Sequence, residues 1–237
     1  KRRDMGPYIF GCQMLQNPMA DMVMGFKAEW LRYATVLDPQ SMRLPHQGMN
    51  LYLLVDPAGS KKQGSDYSVF AVIGLAPDGN YYLIDGVRDR LNLTERAATL
   101  FRLHRQYRPL AVGYERYGMQ ADIEHIKAEQ ERTGYRFAIA ELGGAMPKVD
   151  RIRRLIPLFE QGRFWLPANL LFVDAEGRSR DFVQEFVNEE YSAFPVCGHD
   201  DMLDCLARIV EPDLGAVFPR LAGTTPGTVI NNFSPYE

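Results

Sequence analysis

The chain has 237 residues, 46% of them hydrophobic and 24% charged, with a formal net charge of -3 at pH 7. That size and apolar content are enough to bury one large core, or a core with a small appendage, and describe a globular chain. The charge excludes a protein coated in positive charge, and no apolar run approaches the roughly 20 residues that span a bilayer.

Residues 1–49 carry little periodicity, with scattered prolines at Pro7, Pro18, Pro39 and Pro45, and read as an extended arm or linker. The absence of a starting methionine suggests a fragment of something longer or a processed product. The basic start Lys1-Arg2-Arg3 has no apolar region behind it of the kind a signal peptide carries, so a cytoplasmic location is expected. From Asn50 the pattern becomes regular. Strands are expected at 50–56, 67–76 and 81–88, the last two joined by the turn Pro77-Asp78-Gly79-Asn80, which makes an antiparallel meander. Helix, strand, helix, strand and helix follow near 94–107, 110–115, 119–131, 136–142 and 147–161, and such alternation adds parallel strands. A further amphipathic helix begins at His199. Three antiparallel strands followed by αβαβα is the element order of ribonuclease H-like folds, an α/β class with a mixed central sheet flanked by helices. The expected organisation is an arm over 1–49, a folded domain over 50–212 and a tail over 213–237.

Five carboxylates stand at rigid positions of this plan. Asp56 closes the apolar run Leu51-Tyr52-Leu53-Leu54-Val55, Glu115 closes Leu110-Ala111-Val112-Gly113-Tyr114, and Asp200, Asp201 and Asp204 open the last helix. Acids at buried strand ends are costly unless compensated. A divalent cation is the simplest compensator, and oxygen-only ligands select Mg²⁺ or Mn²⁺. Asp200 and Asp204 share a helix face at i, i+4, and Asp201 and Asp204 share one at i, i+3. Cys12, Cys197 and Cys205 form neither a CxxC pair nor an even disulfide set and read as reduced thiols.

The loop Gly59-Ser60-Lys61-Lys62-Gln63-Gly64-Ser65-Asp66 has P-loop glycine spacing. It lacks the Lys and Ser/Thr that must follow the second glycine, so it reads as a polar hairpin connection offering Lys61 and Lys62 to phosphates. Asp66 either joins the acidic site or caps the turn into Tyr67. Basic residues cluster at Arg88–Arg108 and again at Lys148, Arg151, Arg153 and Arg154. Beside an acidic centre, such patches suit a polyanionic substrate held by its phosphates.

Several segments together resemble the C-terminal nuclease domain of the large terminase subunits of tailed bacteriophages. Gly6–Pro18 is similar to the stretch leaving the motor domain, and Phe26–Tyr33 to the segment entering the nuclease. Asp56-Pro57-Ala58 with Ser65–Val69 resembles the first nuclease motif, Tyr114-Glu115 the second, and His199-Asp200-Asp201 with Asp204 the third. The resemblance covers roughly residues 6–212. It implies metal-dependent hydrolysis of concatemeric double-stranded viral DNA during packaging, with two ions, Mg²⁺ or Mn²⁺, held by Asp56, Glu115, Asp200, Asp201 and Asp204. Related resolvases of this fold use two acids three apart, which favours Asp201 with Asp204 and puts Asp201 beside Asp56 and Glu115 as catalytic. Lys61, Lys62, Lys148, Arg151 and Arg154 are the expected DNA contacts. The implied partners are the terminase ATPase motor, the portal protein and the small terminase subunit, in the host cytoplasm and away from membranes. No complete Walker A motif or other ATPase signature occurs in the chain. A resolvase or transposase of the same fold, an actin-like phosphotransferase and a non-catalytic module docking on portal or DNA are the competing readings.

Overall fold

A computed structural model describes residues 25–35, 37–58, 67–116 and 120–220. In chain order its strands are β1 (Arg32–Ala34), β2 (Asn50–Asp56), β3 (Ser68–Leu75), β4 (Tyr81–Asp89), β5 (Ala111–Glu115), β6 (Ile139–Leu142), β7 (Phe164–Pro167), β8 (Leu171–Val173) and β9 (Ser179–Asp181). Its helices are α1 (Leu93–Tyr107), α2 (Gln120–Thr133), α3 (Lys148–Arg153), α4 (Ile156–Glu160), α5 (Phe182–Glu185) and α6 (Asp201–Ala207), with a π-helical turn over Phe186–Tyr191. Seven strands form one mixed sheet in the order β1-β7-β4-β3-β2-β5-β6, and β8 pairs with β9 as a separate hairpin.

The meander β2-β3-β4 is antiparallel, while β5 adds parallel to β2 and β6 parallel to β5. This is the ribonuclease H-like arrangement expected from the element order. The central strands read as continuous apolar runs because both faces are covered, and every residue of β3 is buried. Val55 pairs with Tyr114, so the next residues, Asp56 and Glu115, end neighbouring strands side by side. Side chains alternate along a strand. Tyr114 therefore faces one layer of helices, where its hydroxyl donates to Asp122 of α2, and Glu115 faces the other, where it meets Arg208 just beyond α6. Gly113, two residues before Glu115 and so on the same face of the strand, has Leu54, Leu142 and Leu214 so close that a Cβ would lie 2.5 Å from Leu142. A side chain there would push the covering layer off the sheet.

Three features depart from the expected plan. The segment 147–161 is two helices, because Pro157 cannot donate the α-helical bond to Arg153. The chain tightens there through Arg154 N–H to Arg151 O and Leu155 N–H to Ile152 O. Phe26 and Trp30 are buried in the core, and β1 pairs in parallel with β7. Part of the expected arm is thus built into the sheet. Finally, Val217, expected in the tail, exchanges backbone hydrogen bonds with the Tyr52 hydroxyl. Helix α1, expected near 94–107, is opened by a reciprocal cap, Asn92 Oδ1 accepting from Glu95 N–H and Glu95 accepting from Asn92 N–H.

Candidate metal centre

Three elements converge on one point. Asp56 ends β2, Glu115 ends β5 and Asp204 lies in the first turn of α6, and each offers a carboxylate oxygen within 4.8 Å of the others. Burial and the adjacent Glu115 and Asp204 carboxylates push the Asp56 carboxyl well above the usual range, and it shares a hydrogen bond with Glu115. Carboxylates that must hold a proton to coexist have too little countercharge among the described residues, and three hard oxygen donors match Mg²⁺ or Mn²⁺.

Basic side chains surround the acids from behind. Arg151 of α3 forks onto Asp204, Nη2 to Oδ2 at 2.7 Å, with Nη2 also 3.9 Å from Glu115 Oε1. Arg208, one turn after Asp204, donates to Glu115 through Nη2 and to Glu211 through Nη1. Lys148, one turn before Arg151, reaches Asp200 Oδ1 at 2.6 Å and Asp201 Oδ1 at 3.3 Å. Burial alone would depress the Lys148 ammonium, but its bond to Asp200 and the charges of Asp201, Asp200 and Asp56 raise it above its ordinary value.

Not all five expected acids meet. Asp201, the expected leader of the helix trio, lies one turn from Asp204 with its Oδ2 accepting from Tyr67 N–H at 3.3 Å and 3.8 Å from His199 Nδ1. Asp200 pairs with Lys148. The reason is helical geometry: α6 starts at Asp201, and the residue that presents its carboxylate to the ends of β2 and β5 is the one a turn later. The geometry therefore favours Asp204 over Asp201 as the third member.

Of the expected DNA contacts, three have partners within the chain. Arg151 is buried and spent on Asp204, and Arg154 Nη2 donates to Val210 O at 2.7 Å, tying down the chain after α6. Lys148 faces the helix acids. Lys61, Lys62 and Asp66 lie outside the described residues, as does the Gly6–Pro18 stretch.

Two residues escaped sequence reasoning. Arg208 carries a legible signal, an arginine four residues after Asp204, at the end of a helix that has no basic residue of its own. Glu190 carries none. It is fully buried on the π-helical turn, and its Oε2 accepts from Leu203 N–H at 2.9 Å. Asp200, at the N-cap position of α6, makes no side-chain cap bond. A carboxylate from another segment therefore caps the helix that carries Asp204.

Residues 53–211 match the family model described as the terminase RNase H-like domain. No curated protein sequence matches. The human cytomegalovirus terminase nuclease domain superposes over 82% of this chain and 99% of its own, with 13% identity and a TM-score of 0.53. The large terminase nuclease of thermophilic phage G20c, solved with bound magnesium, covers 76% of this chain and 91% of its own at 19% identity and a TM-score of 0.47. The HK97 bacteriophage large terminase covers 76% of this chain and 41% of its own, at 12% identity and a TM-score of 0.45.

Proposed function

Because the chain belongs to the terminase RNase H-like domain family, we propose that it is a metal-dependent endonuclease that cuts concatemeric double-stranded viral DNA during genome packaging. The observation that carries this reading is the convergence of Asp56, Glu115 and Asp204 from two strand ends and a helix, with Asp56 left short of countercharge. The cytomegalovirus domain, which shares the fold, has been solved after a manganese soak.

In this reading Asp56, Glu115 and Asp204 hold Mg²⁺ or Mn²⁺, with Asp200 and Asp201 available to a second ion. The bound cations supply charge stabilisation for phosphodiester hydrolysis and activation of water. The protein's own part is orientation. Arg208 fixes the Glu115 carboxylate, Arg151 fixes both oxygens of Asp204, and the Glu190 cap fixes the helix that presents it. Such outer partners typically hold ligands for about 10- to 100-fold in metal affinity or activity. Contacts to DNA through phosphates give weak sequence preference and a steep dependence on salt, with Lys61 and Lys62 as candidates. The motor ATPase, portal and small terminase subunit are the partners this role requires, in the cytoplasm of the host.

Plasmid nicking in Mn²⁺ tests the assignment. Wild-type protein cuts, and Asp56→Ala and Glu115→Ala do not; full activity in either variant removes these carboxylates from the chemistry. One observation favours a second reading, a docking module with a structural salt network: Arg151, Arg208 and Lys148 already neutralise much of the acidic cluster. Calorimetry with Mn²⁺ separates the two, since a docking module gives neither heat of binding nor cleavage.

A further inference from the structure

Lys148 differs from the other two cations of the centre in what it holds and how firmly. Its Nζ lies 2.6 Å from Asp200 Oδ1, 3.3 Å from Asp201 Oδ1 and 4.0 Å from Asp204 Oδ2, so one ammonium is shared by all three acids at the start of α6. Its side chain is 38% exposed, whereas Arg151 and Arg208 are 7% and 2% exposed. A buried guanidinium forked onto a carboxylate cannot withdraw without leaving charge stranded. A compact ammonium on a flexible four-carbon stem can swing into water and stay hydrated there, so that what it gives up on leaving is its bonds to these acids.

We propose that Lys148 is a tethered cation of the metal centre: in the metal-free protein it occupies the helix acids and must be displaced before Asp200, Asp201 and Asp204 accept a divalent ion, so that it sets the metal affinity of the site. The inference rests on the nuclease reading above. Its physical basis is competition. A divalent ion binds carboxylate oxygens at roughly 2.0 to 2.6 Å, and an ammonium bonded to the same acids both occupies their oxygens and repels the incoming charge. The alternative for the same residue is a contact to DNA phosphates, which would leave metal affinity untouched.

The experiment is Mn²⁺ titration of the whole chain, without DNA, by calorimetry and by electron paramagnetic resonance of free Mn²⁺. Wild type is compared with Lys148→Met and the charge-retaining Lys148→Arg, each checked by circular dichroism; Lys148→Gln replaces the Met variant if that does not fold. Lys148→Met is expected to bind Mn²⁺ at least about tenfold more tightly than wild type, with Lys148→Arg no tighter than wild type. The metal-free melting temperature of Lys148→Met is expected to fall and to recover with Mn²⁺. Mn²⁺ binding by the folded neutral variant that equals or falls below wild type overturns the inference and leaves the nuclease reading standing. No Mn²⁺ binding by any of the proteins overturns both.

Discussion

Two networks of buried charge lie on opposite faces of β5, one residue apart. On the Tyr114 face, Arg96 forks onto Asp122 through Nε and Nη2 at 2.7 and 2.6 Å, and its Nη1 donates to the backbone oxygens of Ala58 and Leu91. The Tyr114 hydroxyl completes Asp122 at 2.6 Å. One arginine meets one aspartate, and each has its hydrogen bonds. On the Glu115 face, carboxylates crowd together, Asp56 shares a hydrogen bond with Glu115, and its carboxyl is driven upward. Asp122, Arg96 and Asp204 are buried and Asp56 and Glu115 half-buried, and burial alone does not tell a structural ion pair from a chemical site. The distinguishing sign is whether the local charges close without a guest.

Substitutions break that contrast in opposite ways. The largest effect is expected at the open network: Asp56→Asn or Asp204→Asn lowers Mn²⁺-dependent nicking by about 10³-fold, several kcal/mol of lost transition-state stabilisation. Asp56→Asn at the same time raises the melting temperature of the metal-free protein, because it removes a repelled carboxyl. At the closed network, Asp122→Ala strands a buried arginine and costs about 3–5 kcal/mol of stability, measured by urea unfolding, while the folded fraction keeps wild-type turnover. Destabilisation by Asp56→Asn or lost turnover by folded Asp122→Ala would erase the contrast.

A smaller effect is expected from pH. Burial pushes the Glu190 carboxyl up to about 7, against the Leu203 N–H and the Arg88 charge, which pull it down. The folded state therefore keeps a proton that the unfolded chain releases near 4.5, and metal-free stability falls as pH rises from 4.5 to about 7. The charged groups around it are Arg88 of β4, Glu185 and Glu189 of its own segment, and Asp201 of α6. Glu190→Gln is expected to flatten that fall by up to about 3 kcal/mol, read from urea midpoints at pH 5 and pH 7.5. The smallest effect tests the ranking within α6: Asp201→Asn lowers nicking by about tenfold, far less than Asp204→Asn.

Much of this was legible in the sequence where one signal dominated. Leu51–Val55 and Ala111–Tyr114 are apolar runs ending in an acid, and the buried sheet makes them strands whose ends coincide. The edge was less legible. Arg32-Tyr33-Ala34 has no apolar run, and becomes a strand only because β7 offers a partner, each paired residue lying 133 positions away in sequence. In the helix at the site, spacing alone left Asp200, Asp201 and Asp204 equivalent. What separates them is where the helix begins and which way its first turn faces. Arg151 and Arg154 read as phosphate contacts because sequence shows charge without showing its partner.

The π-helical turn before α6 carries a final consequence. Ser192 N–H donates to Val187 O, five residues back, so this turn holds one more residue than an α-helical turn would. That extra residue sets where Glu190 points. Deleting one residue between Phe186 and Glu189 would restore α-helical spacing and swing the Glu190 side chain by about 100°, away from the Leu203 N–H. An insertion would turn it the other way. A stretch outside the cluster of acids is therefore intolerant of length change, and the reading frame of one helical turn governs how Asp204 faces Asp56 and Glu115.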